Sequence, residues 1–445
     1  MKLFWTEGRK IAYRVIVILA AVQIGLGVIW AVLNLGRVPC FQETRELLEI
    51  SSTLVTDEYV GILYPALIRI TSMAETFLHI PYQYFLYLLQ LGLGYYAFKR
   101  LLQDFKCPKT KLAVLWVMTI PIVLQLFLAV LPQALALSAL LLCISSCSRK
   151  EWIPGAAYWL LCGLLIPEYL WFAGFVWLLY FVIETLKKRV GRRTLLQGVV
   201  CIAAVCVISV AVNSAVREDY SRGRMLRTPV SMALSRVVWP HFYTNSYFWH
   251  GDVHALFDED GLNELAQNPE YSVTMFGAEM EQTYGQEWAQ VIYRNMTSVS
   301  WKIRTREILS DIANDLVGYT FPMPYLLRNL EGEGVSFAGW NYGQMSEKAP
   351  VLTSLYVQGC GRIFGLLAGI ALLLLARKVL RRKPHTADRK LAAALGTVCV
   401  LQVLWYTASM SGSLDYRNVM TVCVGWGILA AFHILSCFAD RDLEG

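Results

Sequence analysis

LAVLWVMTIPIVLQLFLAVLPQALALSALLLCISS, residues 112–146, is 35 residues without a single charge, and its reading sets the topology of everything after it. A helix needs about 20 apolar residues to cross a bilayer core. The run is too long for one straight span and short for two, and Pro132-Gln133 offers a break near its middle. Charge decides between the readings. With the N-terminus inside and the run split, the cytoplasmic segments hold 24 Lys/Arg against 8 acids, and the outward segments hold 16 against 25. Unsplit, the run would put KKRVGRR (187–193) on the outer side, against the positive-inside bias.

The same bias gives ten expected spans: about 12–35, 81–98, 112–131, 133–146, 153–166, 169–186, 195–214, 355–376, 391–410 and 418–438. Composition agrees with a multi-pass membrane protein. The 445 residues are 56% hydrophobic and only 16% charged, whereas soluble domains run nearer 45–50% and about 25%. The net charge of +7 and sequence pI of 8.8 then follow from topology, and no nucleic-acid partner is implied. The first span has basic flanks and no small-residue cleavage site behind it, so it reads as a retained anchor. The expected location is a bacterial plasma membrane, with both termini cytoplasmic.

The expected fold class is all-α, organised as a seven-span module (1–214) whose first outer loop (36–80) is acidic, a mostly helical extracytoplasmic domain (215–354) and a three-span module (355–445). In the first loop FQETRELLEISSTL (41–54) places Glu43, Glu46 and Glu49 on one helix face and Leu47, Leu48, Ile50 and Leu54 on another. YPALIRITSMAETFL (64–78) makes a second amphipathic helix, with Pro65 in a first turn that tolerates it. Both are expected to lie along the outer membrane surface. Helical patterns recur at 272–295 and 300–318.

Eleven cysteines are scattered, mostly within spans, where a free thiol acts as a small hydrophobe. Cys40 and Cys360 both fall near the outer face, close enough in that sense for a disulfide. Cys143 and Cys147 lack further ligands for a metal, so no metal site is expected. Walker A, GxGxxG and HExxH patterns are absent. The expected spans carry little charge, unlike those of most pumps and transporters. Charge gathers at the outer boundary instead.

Between the two surface helices stands VTDEYVGILYP (55–65). Asp57 and Glu58 sit there in apolar company, at a boundary where water remains in reach. A partly desolvated carboxylate beside another holds its proton more tightly and can serve as a general base. Arg222 and Arg224, with Arg217 and Arg227, follow the seventh span. Arginine grips phosphate through a planar fork of donors. A carboxylate base and a phosphate clamp are the minimum for moving a sugar off a polyprenyl-phosphate carrier. Plainer readings stand beside each. Asp57 and Glu58 could cap the second surface helix, the Glu43 row could be a solvated face, and the arginines could meet lipid headgroups. Glu168, in the Pro-Glu turn of LCGLLIPEYLWF (161–172), could line the same cavity. His241, His250 and His254 cluster with Trp239 and Trp249, suited to packing or sugar stacking more than to metal.

GILYPALIRI (61–70) is similar to the Tyr-Pro-Pro-Leu stretch of the membrane glycosyltransferases of the C superfold, and SGSLDYRNVM (411–420) to their late Arg-Tyr loop. The group includes family 39 and the protein-mannosyltransferase-like enzymes. The layout of an N-terminal span followed by an acidic loop with two surface helices also resembles theirs, and the likeness does not extend to 215–354. It implies inverting transfer from a polyprenyl-phosphate sugar to an extracytoplasmic acceptor (lipid, glycan or protein). Asp57 or Glu58 would be the base, and Arg417 would contact the carrier phosphate. Tyr64 and Tyr416 belong to the matching stretches and would line the substrate site. The family sets its acid soon after the first span. That position reads FQE (41–43) here, so Glu43 competes for the role, and Gln42 stands where an aspartate is expected. No cofactor is required, though a divalent cation could assist. Arg417 beside Asp415 also reads as a simple ion pair. Two alternatives stay open: a lipid-carrier or polysaccharide flippase or export component, and a non-catalytic relative that keeps the fold.

Overall fold

A computed structural model describes residues 2–34, 42–54, 61–107, 109–187, 191–215, 285–320, 350–381, 387–409 and 416–439. Its described elements are helical, with no strand among them. In order they are α1 (Lys2–Asn34), α2 (Gln42–Thr53), α3 (Leu63–Leu78), α4 (Tyr82–Asp104), α5 (Thr110–Met118), α6 (Pro121–Phe127), α7 (Gln133–Ser148), α8 (Trp152–Leu165), α9 (Tyr169–Leu186), α10 (Arg192–Ala215) and α11 (Gln286–Thr320). One further turn, α12 (Pro350–Thr353), leads through a π-helical stretch (Ser354–Cys360) into α13 (Gly361–Arg381), followed by α14 (Ala387–Ser409) and α15 (Tyr416–Ala439). The chain forms two compact units, one of residues 1–216, 321–401 and 419–445, the other of 217–320 and 402–418.

Ten spans are not supported. Among the described residues four helical stretches are long and apolar enough to cross a membrane: Ile11–Leu33, Tyr169–Leu186, Arg192–Ser209 and Ser354–Leu374. The count reaches five if α5 and α6, bent by 79°, form one broken span. Helix length explains part of the difference. At 1.5 Å per residue the 16 residues of α7 reach only about 24 Å, short of a core of about 30 Å. Within the run at 112–146, burial points the same way. Every residue of α7 from Ala134 to Cys147 is buried in protein, as is all of α6. A helix apolar on every side is what an interior position demands, whether or not lipid surrounds the molecule.

The four qualifying stretches look different. Ile11, Ile18 and Val32 of α1, Trp171 and Leu186 of α9, Leu196 and Val207 of α10, and Leu366 and Leu373 of α13 are each more than 60% exposed. So large an apolar surface is rare on a soluble monomer and suits contact with lipid chains. These helices are compatible with an integral membrane protein.

The first unit is built around α7, against which α4, α8 and α9 pack. Aromatic rings lock α8 to α9. Trp177 stacks on Phe181 with ring centres 4.9 Å apart and meets Trp152 edge-on at 5.8 Å, and its indole N–H donates to the Trp152 carbonyl. Such pairs add about 0.5–1.5 kcal/mol beyond their burial. On α4, Gly94 faces the Phe127 ring so closely that an added Cβ would lie 2.3 Å from it. In the second unit, the described part of the 272–295 pattern and the pattern at 300–318 fall in one helix, α11, kinked at Arg304. Residues 216–284 and 321–349 lie outside the described set.

Candidate functional site

Ion pairs mark one end of the first unit. Arg100 near the end of α4 pairs with Glu151 at the start of α8, and Asp104 accepts from Arg149 Nε at 2.6 Å and from the Ser145 hydroxyl on α7. Lys150 reaches Glu184 near the end of α9 at 2.8 Å, and Lys187 lies 3.9 Å from the same carboxylate. The C-terminal ends of α4, α7 and α9 therefore meet at this basic end, together with the start of α8. For α4 and α7 both to arrive there, α5 and α6 must between them carry the chain back to the other end. The break at Pro132-Gln133 falls there, between α6 and α7.

The opposite end carries the first-loop helices. α2 packs on α3, and α3 on α4. Leu47 and Ile50, on the expected apolar face of α2, are buried. Gly61, two residues before α3, donates its N–H to the Leu165 carbonyl at the end of α8, 3.1 Å away. A Cβ on Gly61 would stand 2.0 Å from the Leu164 carbonyl oxygen, so only glycine lets the two backbones approach this closely. Glu168 lies three residues past that contact, half-buried at the N-terminal boundary of α9. The first loop is thus pinned to the turn that bears Glu168. Glu75, another first-loop acid, accepts from the Tyr82 N–H at 3.2 Å and so caps the start of α4.

Tyr64 stands in the first turn of α3, fully buried. Its hydroxyl donates to Gln90 Oε1 on α4 at 2.8 Å, and Gln90 Nε2 donates to the carbonyls of Phe127 and Ala129, both at 2.9 Å. Removal from water, reinforced by the neighbouring Tyr87 and Tyr82, pushes the Tyr64 phenol well above its ordinary range. The group is a neutral hydrogen-bond donor held inside the fold, and direct contact with a substrate would require that bond to be exchanged.

This network was not anticipated from the sequence, and it serves the broken helix. α6 ends at Phe127, whose carbonyl has no helical partner, and Gln90 satisfies it together with the carbonyl of Ala129 just beyond the helix. At the other break, Trp116 and Gln23 of α1 bond reciprocally: the indole N–H donates to Oε1 at 3.1 Å, and Nε2 donates to the Trp116 carbonyl at 3.2 Å. Tyr356, in the π-helical stretch, donates to the Thr119 carbonyl at 2.7 Å and packs its ring 5.5 Å from Trp30. Irregular backbone at membrane depth is tolerated only where protein or water satisfies it. Gln23 and Gln90, uncharged polar residues within long apolar helices, were the signal in the sequence.

Asp57, Glu58, Arg222 and Arg224 lie outside the described residues, as do His241, His250 and His254. Glu43 falls in α2, and Tyr416 and Arg417 open α15, with only the helical backbone described at all three. Cys360 is half-buried and carries no disulfide. No cluster of His, Cys, Asp or Glu suited to a metal occurs among the described residues. No protein-family model matches the chain, and no curated protein or solved structure matches it either.

Proposed function

We propose that the protein is an inverting membrane glycosyltransferase that moves a sugar from a polyprenyl-phosphate carrier to an extracytoplasmic lipid, glycan or protein. In this reading it lies in a bacterial plasma membrane with both termini in the cytoplasm. The supporting observation is the Gly61–Leu165 hydrogen bond. It ties the first loop to the α8–α9 turn carrying Glu168, at the end of the unit away from the basic ion pairs.

A carboxylate of that loop, Asp57 or Glu58, with Glu43 as competitor, takes the proton of the acceptor hydroxyl. The acceptor oxygen then bonds to the anomeric carbon as the carbon–oxygen bond to phosphate breaks. Polyprenyl phosphate leaves with the electron pair, held by Arg417 and by Arg222 or Arg224. Tyr416 lines the donor side, and Tyr64 supports the loop from within. A divalent cation could assist the departing phosphate.

The bent α5–α6 pair favours a second reading. Broken helices recur where transporters bind cargo, so a carrier flippase remains the competing function. Here the carbonyls at both breaks are engaged by Gln23, Gln90 and Tyr356, which suits a fixed element better than a moving one.

Purified full-length protein supplied with polyprenyl-phosphate sugars and a panel of acceptors separates the two. Transfer should fall by about 100-fold or more in Asp57→Asn or Glu58→Gln, as expected for loss of a general base. Unchanged turnover in both would remove the base assignment. Carrier translocation in vesicles without product formation would favour the flippase.

A further inference from the structure

A polar cavity of about 380 Å³ opens at the basic end, away from the proposed transfer site. Its lining consists of Tyr96, Lys99, Arg100 and Gln103 from α4, faced by Arg149 and Glu151 from the α7–α8 turn. The spacing of 96, 99, 100 and 103 places the four on one face of the helix. Both walls are fixed. The opposing turn is closed by hydrogen bonds from the N–H groups of Arg149, Lys150 and Glu151 to the carbonyls of Ser145, Cys147 and Ser146, with Lys150 left-handed at φ 63°.

Three cations line this space against one acid, with Asp104 behind Arg149. Arg100 is spoken for by Glu151 and by the Tyr96 hydroxyl, yet its buried Nε has no partner. Arg149 uses Nε on Asp104, and its two terminal nitrogens have no bonded acceptor among the described residues. Among the described residues, the Lys99 ammonium forms no ion pair and the Gln103 side chain makes no hydrogen bond. Donors outnumber acceptors, and the volume falls in the usual range for small-molecule sites, about 300–1,000 Å³. A planar arginine fork beside a mobile ammonium is the donor set that suits a phosphate group.

We infer that the cavity formed by Lys99, Arg100, Gln103 and Arg149 binds a phosphate-bearing anion. Two sources present that chemistry at this end of the helices: the headgroup of an anionic phospholipid and a soluble phosphate ester. Lys99 and the Arg149 fork make the direct contacts. Arg100 is held by Glu151 and contributes field more than hydrogen bonds.

The test uses the full-length protein in zwitterionic detergent. One arm follows its thermal midpoint as inorganic phosphate replaces chloride at constant ionic strength. The other counts phosphatidylglycerol against phosphatidylcholine retained in native mass spectrometry. Lys99→Gln breaks neither ion pair and should keep the wild-type midpoint in chloride. Lys99→Gln and Arg149→Gln should each weaken binding about tenfold, the size of one charge-assisted hydrogen bond. Lys111→Gln, the same charge change at an exposed position outside the cavity, should weaken it little. A phosphate response without lipid retention assigns a soluble ester, and the reverse assigns a headgroup. Absence of binding in both arms overturns the site. An equal loss in Lys111→Gln would reduce it to diffuse surface charge.

Discussion

The Tyr64 hydroxyl donates to Gln90, and Gln90 passes its own two amide hydrogens to the carbonyls of Phe127 and Ala129. One side chain of α4 thereby joins the first-loop helix to the end of the broken α6. Replacing Gln90 with Leu orphans three buried polar groups at once. Each buried orphan costs about 1–3 kcal/mol, so Gln90→Leu should lower the thermal midpoint far more than Tyr64→Phe, which removes one donor. In the double variant the two losses should not add, because Tyr64 has already lost its acceptor.

At Gly61 the relevant fact is backbone approach. Gly61→Ala drives a Cβ into the Leu164 carbonyl and must push α3 off α8. Gly92→Ala, where nothing lies within 4 Å of the new carbon, is its control. Gly61→Ala should lose both stability and any transfer activity. Gly92→Ala should be neutral or slightly stabilising, since alanine favours helix by up to about 1 kcal/mol.

Buried and exposed ion pairs should behave differently. The Asp104 side chain is 9% exposed and holds both Arg149 and Ser145, whereas Glu307, paired with Arg304 at 2.5 Å, is 54% exposed. Asp104→Asn should therefore destabilise by about 1–3 kcal/mol, and Glu307→Gln by less than about 0.5 kcal/mol. Chemical denaturation of the two variants side by side reads the difference.

Burial pushes the Cys107 thiol up to about 12 from 9.0. Thiolate is the reactive form, so maleimide should modify Cys107 only in unfolded protein at neutral pH. The sign for stability follows. The unfolded chain releases this proton near pH 9 and the folded one near 12, so Cys107 subtracts stability progressively as pH rises across that interval. Mass-mapped labelling from pH 7 to 11, with and without denaturant, checks both statements.

The two ends of the first unit should open to opposite sides of a membrane. Lys187→Cys, beside the Glu184 ion pair, and Ile80→Cys, in the exposed α3–α4 corner, report on them. An impermeant thiol reagent should label one from outside intact cells and the other only in inverted vesicles. Labelling of both from one side would overturn the assignment of ends.

Helix content, the α2–α3 pair and the break before Gln133 were legible because apolar periodicity, proline and charge asymmetry are local signals. The number of spans was not. The apolar run at 112–146 looks the same whether lipid or protein surrounds it, and only packing reveals that α6 and α7 are interior while α5 and α6 meet at 79°. The Gln90 and Gln23 networks were equally hidden. A lone glutamine in an apolar helix does not announce which carbonyl, tens of residues away, needs its hydrogens.

Sequence alone therefore determined that this chain is helical, where its charges collect and which carboxylates stand between apolar neighbours, since each depends on residues close in the chain. The tertiary structure decided that Gly61 docks on Leu165, that Tyr64 is held inside by Gln90, and that Lys99 and Arg149 face one cavity. Those relations join residues 26 to 104 positions apart. They arise from the closing of backbone and buried polar groups upon one another, which no local pattern encodes.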